Sequence, residues 1–452
     1  MGNEIIVRIE KISFGGYGIA HYAGIVVFVA DVCPDELCKV VIIKKNKNYY
    51  SAKLIEIIEK SPHRIKPFCP MYNVCGACML QYADYDYQLK IKKQITEDTL
   101  HGIDAVISAP IPSPKIKAFR HKIQYPIRET KVSKRLLIGY FKPKSHDIVN
   151  IKYCPIQPPI CDKIAEYIRN EAPKYKITGY NEKKHSGLLR HLILRVASET
   201  GQVLVTAVIN SKKIPERLKD FLCIFYEQFP EISGVTVNFN TERTNLIMGA
   251  KTELVTGEDY ILENLCGINF KISSNTFFQV NPKSAENIFK FVKDYIKNNF
   301  VNPKLLDAYA GISAFGMVVS DICSEVISVE ENICSTEAAE CVKKLNKISN
   351  VSLIRSDFAK FAEEFSLKNP KYFDIAILDP PRKGCTKESL DCCLKLTKSK
   401  IIYVSCNPAT LARDLKYIIE KGAIVEYIQP FDLFCHTFHI ENAAIVDISG
   451  CT

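Results

Sequence analysis

The chain contains 452 residues, of which 47% are hydrophobic and 24% charged, and its formal net charge is +10. This length exceeds what one hydrophobic core usually supports and predicts two or three domains, while the composition excludes a fibrous or largely disordered chain. No apolar run approaches the roughly 18 residues of a membrane helix, and residues 1–10 lack a signal-peptide pattern. We therefore predict a cytoplasmic, monomeric protein without membrane contact, whose charge suits a polyanionic partner without requiring one.

Residues 1–62 alternate short apolar stretches with turns, a pattern that predicts a small β-barrel. The predicted strands span 5–9, 24–29, 37–43 and 50–58. Cations and aromatic rings are interleaved around the last turn, in Lys44, Lys45, Lys47, Tyr49 and Tyr50. Such a surface is typical of sites for phosphates and stacked bases, although a solvated hairpin loop explains these residues equally well.

Cysteines are concentrated in the segment that follows. Cys69, Cys75 and Cys78 form a C-x5-C-x2-C pattern, and Cys154 stands before a proline further along the chain. In a long chain without an export pattern, such cysteines are more often metal ligands, catalytic groups or free thiols than disulfides. Four thiolates can hold zinc or an iron–sulfur cluster, and the spacing alone leaves both open.

The secondary-structure pattern changes at about residue 275. A helix is predicted over 84–100, and residues 110–275 read mainly as strands with embedded helices, which indicates a β-rich central domain. From residue 276 onward helices and strands alternate, which predicts an α/β domain with a mostly parallel sheet covered by helices on both faces. Ligands bind such sheets at the carboxyl ends of the strands.

Acidic residues end or follow successive strands of this α/β domain. Asp307 precedes a loop containing Gly311, where the backbone can approach a ligand closely. Glu330 ends the second strand and can accept hydrogen bonds from ribose hydroxyls, and Asp357 follows the third. The absence of GxGxxG disfavours a dinucleotide. This order of residues predicts S-adenosylmethionine as the cofactor.

Two further motifs follow the fourth and fifth strands. Asp379 opens an Asp-Pro-Pro-Arg loop, which two prolines make rigid. Methyltransferases that act on amino groups have a related loop with an aromatic residue where this chain has Arg382. The motif is therefore compatible with methylation of an amino group and with a second chemistry, and Arg382 favours the second. Cys406 opens Cys-Asn-Pro and is either a small buried residue or a thiolate nucleophile. The neighbouring motifs favour the nucleophile.

A cysteine in this position suits methylation at C5 of uracil. That carbon is a poor nucleophile until a thiolate adds to C6, and a base must later remove the C5 proton so that the thiolate can leave. The segment 431–441 contains His436, His439 and Glu441. We predict Glu441 as the base, and we do not expect a metal there because His-x-x-x-His spacing is absent.

Together these motifs resemble the RNA 5-methyluridine methyltransferases, and most closely the bacterial 23S ribosomal RNA (uracil-C5) methyltransferases. The resemblance spans the chain and implies an RNA-binding TRAM barrel over 1–62, a central domain over 63–275 and a Rossmann-like methyltransferase domain over 276–452. It implies a [4Fe–4S] cluster rather than zinc, with ligands Cys69, Cys75, Cys78 and Cys154. It also implies Cys406 as nucleophile, Glu441 as base, and S-adenosylmethionine contacts from Gln279, Tyr309, Glu330, Asp357 and Asp379.

Three residues depart from the family pattern. Ser313 and Ala314 replace a glycine and a polar residue of the cofactor loop, and Cys435 replaces a proline near Glu441. Three alternatives remain open on the sequence: the same chemistry on transfer RNA, an amino methyltransferase for which Cys406 is dispensable, and a noncatalytic RNA-binding or redox-sensing iron–sulfur protein. The expected substrate is 23S ribosomal RNA, with its target uracil in a loop or locally opened region.

Overall fold

The computed structural model describes residues 3–451. They form two compact units: the described parts of Met1–Ser113 and Phe365–Thr452 make the first, and Pro114–Glu364 makes the second. Within 3–451, no helix is both long and apolar enough to cross a membrane. The three predicted domains, divided at 62/63 and 275/276, stay a prediction.

The first unit begins with a six-stranded sheet. Its strands are β1 (Glu4–Arg8), β2 (Lys11–Ile12), β3 (Gly18–Tyr22), β4 (Ile25–Val29), β5 (Leu37–Lys45) and β6 (Tyr49–Glu59). Their order in the sheet is β1-β5-β6-β4-β3-β2. In β5, alternate residues Cys38, Val40 and Ile42 are buried, because successive side chains of a strand point to opposite faces. All four predicted strands are confirmed, and β2 and β3 were not predicted.

The cysteine-rich segment leads into helix α1 (Tyr85–Thr99), which is followed by the short strand β7 (Val106–Ile107). The Asp84 side chain accepts a hydrogen bond of 2.8 Å from the Tyr87 backbone N–H and so satisfies a free donor at the start of α1. The helix predicted over 84–100 is therefore confirmed. Its buried face includes Gln88, Lys92 and Thr96 as well as apolar residues.

The second unit contains a seven-stranded sheet packed against helices. Its elements are β8 (Lys122–Glu129), β9 (Leu136–Phe141), β10 (Ile148–Asn150), α2 (Pro159–Glu171), β11 (Leu189–Val196), β12 (Val203–Ile209), α3 (Glu216–Glu227), β13 (Ile232–Phe239) and β14 (Lys251–Gly257). The strand order is β10-β9-β8-β11-β12-β13-β14, with only β12 and β13 parallel among the pairs. A hairpin of β15 (Tyr260–Leu265) and β16 (Ile268–Ser273) follows. The predicted β-rich character of this region is confirmed.

The second unit ends with alternating helices and strands. They are α4 (Pro282–Asn299), β17 (Lys304–Ala308), α5 (Ala314–Val319), β18 (Glu325–Glu330), α6 (Ile333–Leu345), β19 (Val351–Arg355) and α7 (Phe358–Ser366), whose last residues belong to the first unit. The three strands are parallel in the order β19-β18-β17. Their carboxyl ends therefore lie side by side.

The first unit resumes with β20 (Phe373–Leu378), α8 (Lys387–Leu396), β21 (Thr397–Ser405), α9 (Pro408–Ile419), β22 (Ile424–Phe431) and β23 (Glu441–Asp447). Strands β20 and β21 are parallel, whereas β23 lies antiparallel between β21 and β22. The predicted alternation is thus confirmed through β21. The antiparallel pair was not predicted, and β7 joins β22 across more than 300 residues of sequence.

Candidate active site

The loop that carries Cys406 is fixed by the residue after it. Asn407 is the N-cap of α9, and its side-chain oxygen accepts a hydrogen bond of 3.1 Å from the Ala409 N–H. Its amide nitrogen donates to the Arg382 backbone carbonyl at 3.0 Å. Asn407 therefore holds the nucleophile loop and the Asp-Pro-Pro-Arg loop together, and Pro408 starts the helix with its fixed φ.

Helix α9 also holds the far end of the Asp-Pro-Pro-Arg loop. The guanidinium of Arg413 donates to the carbonyls of Lys383 and Cys385 at 2.9 and 3.0 Å. Asp414, which is buried, accepts hydrogen bonds from the Cys385 N–H at 2.8 Å and from the Tyr403 hydroxyl at 2.6 Å. These contacts make the loop and the start of α9 one rigid support for Cys406.

Strand pairing brings Cys406 and Glu441 together. Ser405 at the end of β21 pairs with Asn442 in the antiparallel β23, so the next pair in the same register is Cys406 and Glu441. Glu441 is buried and Cys406 is half-buried. The Arg382 guanidinium acts electrostatically on the Cys406 side chain and favours its thiolate. Asp379, which the sequence predicted as a cofactor contact, also acts electrostatically on both Cys406 and Glu441.

The charged groups around Cys406 have opposite effects on the pKa of its thiol. Burial, reinforced by the carboxyls of Glu441 and Asp379 and opposed by the Arg382 guanidinium, raises the pKa of the Cys406 thiol from 9.0 to about 11. Burial and Asp379 raise the pKa of Glu441 from 4.5 to about 8, again opposed by Arg382. In the free protein at neutral pH, Cys406 is therefore a thiol and Glu441 is mostly protonated. Arg382 is the group that stabilises a thiolate there.

The raised pKa of Glu441 predicts a pH-dependent stability difference. Between pH 4.5 and 8 the folded state keeps a proton that the unfolded state has released, so wild-type stability falls as pH rises through this window. Glu441→Gln removes the titration. Chemical denaturation should show the free energy of unfolding of the variant rising relative to wild type by roughly 3 to 5 kcal/mol from pH 4.5 to 8. If the difference in free energy of unfolding between Glu441→Gln and the wild type did not change with pH, the burial of Glu441 would be contradicted.

In the second unit, Asp307 supports the loop between β17 and α5. One carboxylate oxygen of this buried residue accepts hydrogen bonds from the Gly316 N–H at 3.0 Å and the Ser328 hydroxyl at 3.2 Å. Ser313 adopts the left-handed conformation (φ 57°), and its hydroxyl lies 2.7 Å from that of Ser328. The departure from glycine at Ser313 is therefore accommodated, because its side chain joins this network.

The predicted cofactor residues of the second unit occupy neighbouring strand ends. Tyr309 follows β17 with a φ of 59°, and Glu330 ends β18. The carboxylate of Glu330 accepts hydrogen bonds from the N–H groups of Gly311 at 2.9 Å and Asn332 at 2.8 Å. Asp357 is exposed after β19. A side chain built at Gly311 would meet no atom within 4 Å, so the loop faces open space and fits a ligand.

Gln279 lies outside this row of strand ends. It stands just before α4, in a segment held by a hydrogen bond of 2.7 Å from the His121 N–H to the Val280 carbonyl. Phe278 beside it is buried against Phe270, whereas Phe277 is 63% exposed. The segment thus presents its side chains in a fixed backbone conformation.

Gly316→Ala is expected to weaken cofactor binding. A Cβ at Gly316 would lie 2.6 Å from the hydroxyls of Ser313 and Ser328 and 3.0 Å from Asp307, inside a buried network that has no room to yield. Overpacking of this kind costs about 1 to 3 kcal/mol. Calorimetry should show lower S-adenosylmethionine affinity and a lower Tm. Gly450→Ala is the matched control, because the added Cβ would lie 3.4 Å from its nearest neighbour, the Gly422 carbonyl oxygen. This variant should behave as wild type.

The four predicted cluster ligands are divided between the units. Cys69, Cys75 and Cys78 are half-buried in turns of the first unit, where the Cys75 N–H donates to the Met71 carbonyl at 2.9 Å. Cys154 is buried in the second unit. Four thiols have the right donor chemistry for iron. Across residues 3–451, however, no three Cys, His, Asp or Glu side chains form a metal-binding group. The cluster therefore stays a prediction.

Sequence reasoning missed three charged residues around the site. Arg382 was noted only as a replacement for an aromatic residue, yet its charge acts on the nucleophile. Asp307 was noted only as a strand end, and Lys92 was not singled out although it pairs with Asp432 in the interior. A lysine on the apolar face of a predicted helix was the one signal available for the last of these.

Comparison with known proteins defines the class. A family model described as tRNA (uracil-5-)-methyltransferase matches residues 235–447. A protein of Clostridium tetani described as an uncharacterized RNA methyltransferase is 34% identical, over 96% of this chain and 94% of its own. A Halalkalibacterium halodurans protein with the same description is 31% identical over 99% and 98%. This chain is an RNA methyltransferase.

One solved structure specifies the fold. The tRNA (uracil-54, C5)-methyltransferase of Pyrococcus abyssi, in complex with S-adenosyl-L-homocysteine, superposes with a TM-score of 0.78 at 25% identity, covering 98% of this chain and 100% of that one. The α/β methyltransferase fold is therefore confirmed. The chain belongs to the RNA 5-methyluridine methyltransferase family.

Proposed function

We propose that the protein methylates C5 of a uracil in 23S ribosomal RNA through a covalent adduct between Cys406 and C6 of the base. The observation that carries the proposal is the juxtaposition of Cys406 and Glu441 by the register of β21 and β23. An amino methyltransferase needs neither a nucleophile nor a base arranged in this way. The same pair argues against a noncatalytic role.

The chain's own residues supply three of the required steps. The Cys406 proton passes to water, Arg382 stabilises the resulting thiolate, and the sulfur attacks C6. The electron pair displaced from the C5–C6 double bond makes C5 nucleophilic, so that C5 accepts the methyl group. Glu441, once deprotonated, takes the C5 proton; the double bond re-forms and the Cys406 sulfur leaves. S-adenosylmethionine supplies the electrophilic methyl group when bound.

Gln279, Tyr309, Glu330, Asp357 and Asp379 are the residues we propose for the cofactor. Glu330 ends its strand with a carboxylate suited to ribose hydroxyls, and the Gly311 loop leaves room above the backbone. Asp379 acts electrostatically on Cys406 and Glu441, so its role includes the substrate side of the reaction. Glu330→Gln should raise the dissociation constant for S-adenosylmethionine.

We further propose that Cys69, Cys75, Cys78 and Cys154 bind a [4Fe–4S] cluster, which their four thiols support. We also propose that the six-stranded sheet within residues 1–62 is an RNA-binding TRAM domain, which is supported by Lys44, Lys45 and Tyr49. Anaerobic purification followed by iron analysis and absorption spectroscopy tests the cluster directly. About four irons per chain, lost in Cys78→Ser, is the expected result, and stoichiometric zinc would contradict it.

The substrate is tested by competition between RNAs. A second candidate, the same chemistry on transfer RNA, is favoured by the tRNA enzyme that the structure resembles. Incubation with labelled S-adenosylmethionine and equimolar unmodified 23S fragments and transfer RNA distinguishes them. Label at C5 of uracil in 23S RNA is expected. Label only in transfer RNA would replace the proposed substrate, and label on an exocyclic amino group would overturn the proposed chemistry.

A further inference from the structure

Buried polar contacts tie helix α1 to the segment that carries Glu441. The ammonium of Lys92 pairs with the carboxylate of Asp432, and neither side chain is exposed to solvent. Lys92 also donates to the backbone carbonyl of Phe434 at 3.0 Å. These contacts fix the segment before Glu441.

The same face of α1 reaches the residue after Glu441. The Thr96 hydroxyl lies 3.4 Å from the side-chain oxygen of Asn442, which is fully buried. Lys92 and Thr96 are four positions apart, so they stand on one face of the helix. Residues on both sides of Glu441 are thus held by one helical surface.

Asp432 has further partners that fix its orientation. The hydroxyl of Tyr85, at the start of α1, donates to its second carboxylate oxygen at 2.8 Å. That hydroxyl in turn accepts a hydrogen bond of 2.9 Å from the Ser113 N–H. The backbone N–H of Asp432 donates to the Ile111 carbonyl at 2.9 Å. Each carboxylate oxygen of Asp432 therefore accepts a hydrogen bond from α1.

A contact from the cysteine-rich segment braces the middle of the same stretch. His436 has a φ of 63°, and its carbonyl accepts hydrogen bonds from the N–H groups of Met79 and Leu80 at 2.8 and 2.9 Å. The stretch from Asp432 to Glu441 contains a strand end and turns, with no helix of its own. Its shape accordingly depends on these external anchors.

A buried ion pair is a weak source of stability, since apolar residues of similar size usually serve as well. What Lys92 provides that an apolar residue lacks is a directed charge, with one bond to a side chain and one to a backbone carbonyl. We propose that Lys92 is a positioning residue for the base of the reaction, holding Glu441 at the C5 proton through Asp432 and Phe434. This inference rests on the proposed function.

If replacement of Lys92 displaces Glu441, we expect one specific defect in the reaction. Attack of Cys406 on C6 and methylation at C5 do not involve Glu441, whereas removal of the C5 proton and release of the Cys406 sulfur do. A displaced base therefore leaves a methylated RNA attached to the enzyme. A displacement of about 1 Å can lower a rate by about 100-fold. If Lys92 had a purely structural role, its substitution would lower the amount of folded protein. It would not raise the fraction of folded enzyme that stays attached to methylated RNA.

The test compares four variants with wild type on the same RNA fragment, scoring kcat, KM and the fraction of enzyme in a denaturation-resistant RNA adduct. Lys92→Met removes the charge at similar size. Lys92→Met with Asp432→Asn leaves no buried charge unpaired and decides the question if the single variant does not fold. Lys90→Met, on the exposed side of α1, is the control, and Glu441→Gln is the reference for loss of the base.

We expect the Lys92 variants to lower kcat by about 10- to 100-fold and to lower KM in parallel, because the slowed step follows methyl transfer, and to accumulate adduct as Glu441→Gln does. Lys90→Met should match wild type. Folded Lys92 variants with wild-type adduct levels, whatever their rate, would overturn the inference. If Glu441→Gln itself accumulates no adduct, the proposed function fails instead.

Discussion

Cys406→Ala is expected to abolish methylation at C5 of uracil. Without the thiolate no electron pair reaches C5, and removal of the nucleophile from a covalent enzyme typically lowers kcat by about 10⁴-fold or more. Single-turnover transfer of a labelled methyl group to RNA measures the loss. Because Cys406 is half-buried at the end of β21 and its loop is held by Asn407, the variant should fold and bind S-adenosylmethionine as wild type.

A second cysteine provides the matched control. Cys341 is exposed on α6 and, in Cys341→Ala, should leave the rate unchanged. Methylation by Cys406→Ala at more than about one per cent of the wild-type rate would mean that the reaction proceeds without a covalent nucleophile, because covalent catalysts do not tolerate this loss. An amino methyltransferase would then be the better description.

Glu441→Gln is expected to stop the reaction one step later. The amide keeps the shape of the side chain and cannot accept the C5 proton, so turnover should fall by about 10²- to 10⁴-fold. The first round of methyl transfer should still occur. Denaturing electrophoresis should therefore show a stable complex of protein with methylated RNA.

The control for this change is Glu420→Gln, an exposed carboxylate at the end of α9. It should turn over as wild type without a stable complex. Normal turnover by Glu441→Gln would remove Glu441 from the role of base. The raised pKa of Glu441 also predicts that kcat of the wild type rises with pH above neutrality, since the base acts only when deprotonated.

Local pattern predicted the elements well where periodicity was strong. The strands predicted over 5–9, 24–29 and 50–58 each end within one residue of β1, β4 and β6, because their apolar runs are bounded by clear turns. The pair β22 and β23 was not predicted, although β23 supplies Glu441. Its neighbours in the sheet depend on pairing between distant segments, and no local signal specifies register.

The residues of the candidate site were predicted from the sequence, but their positions relative to one another were not. Cys406 and Glu441 were both named from their motifs, and the structure brings them into adjacent register. The protonation state of the Cys406 thiol was not predicted: burial and two carboxyls raise its pKa. Such a balance depends on the distances of Arg382, Asp379 and Glu441, which the sequence does not contain.

The most direct test of the account is mass spectrometry of the protein after incubation with S-adenosylmethionine and 5-fluorouridine-substituted 23S RNA fragments. Fluorine at C5 cannot leave as a proton, so a uracil-C5 enzyme is trapped after methyl transfer. We expect a methylated RNA adduct on the peptide containing Cys406, absent in Cys406→Ala. Methyl transfer to RNA with no adduct on Cys406 would contradict it.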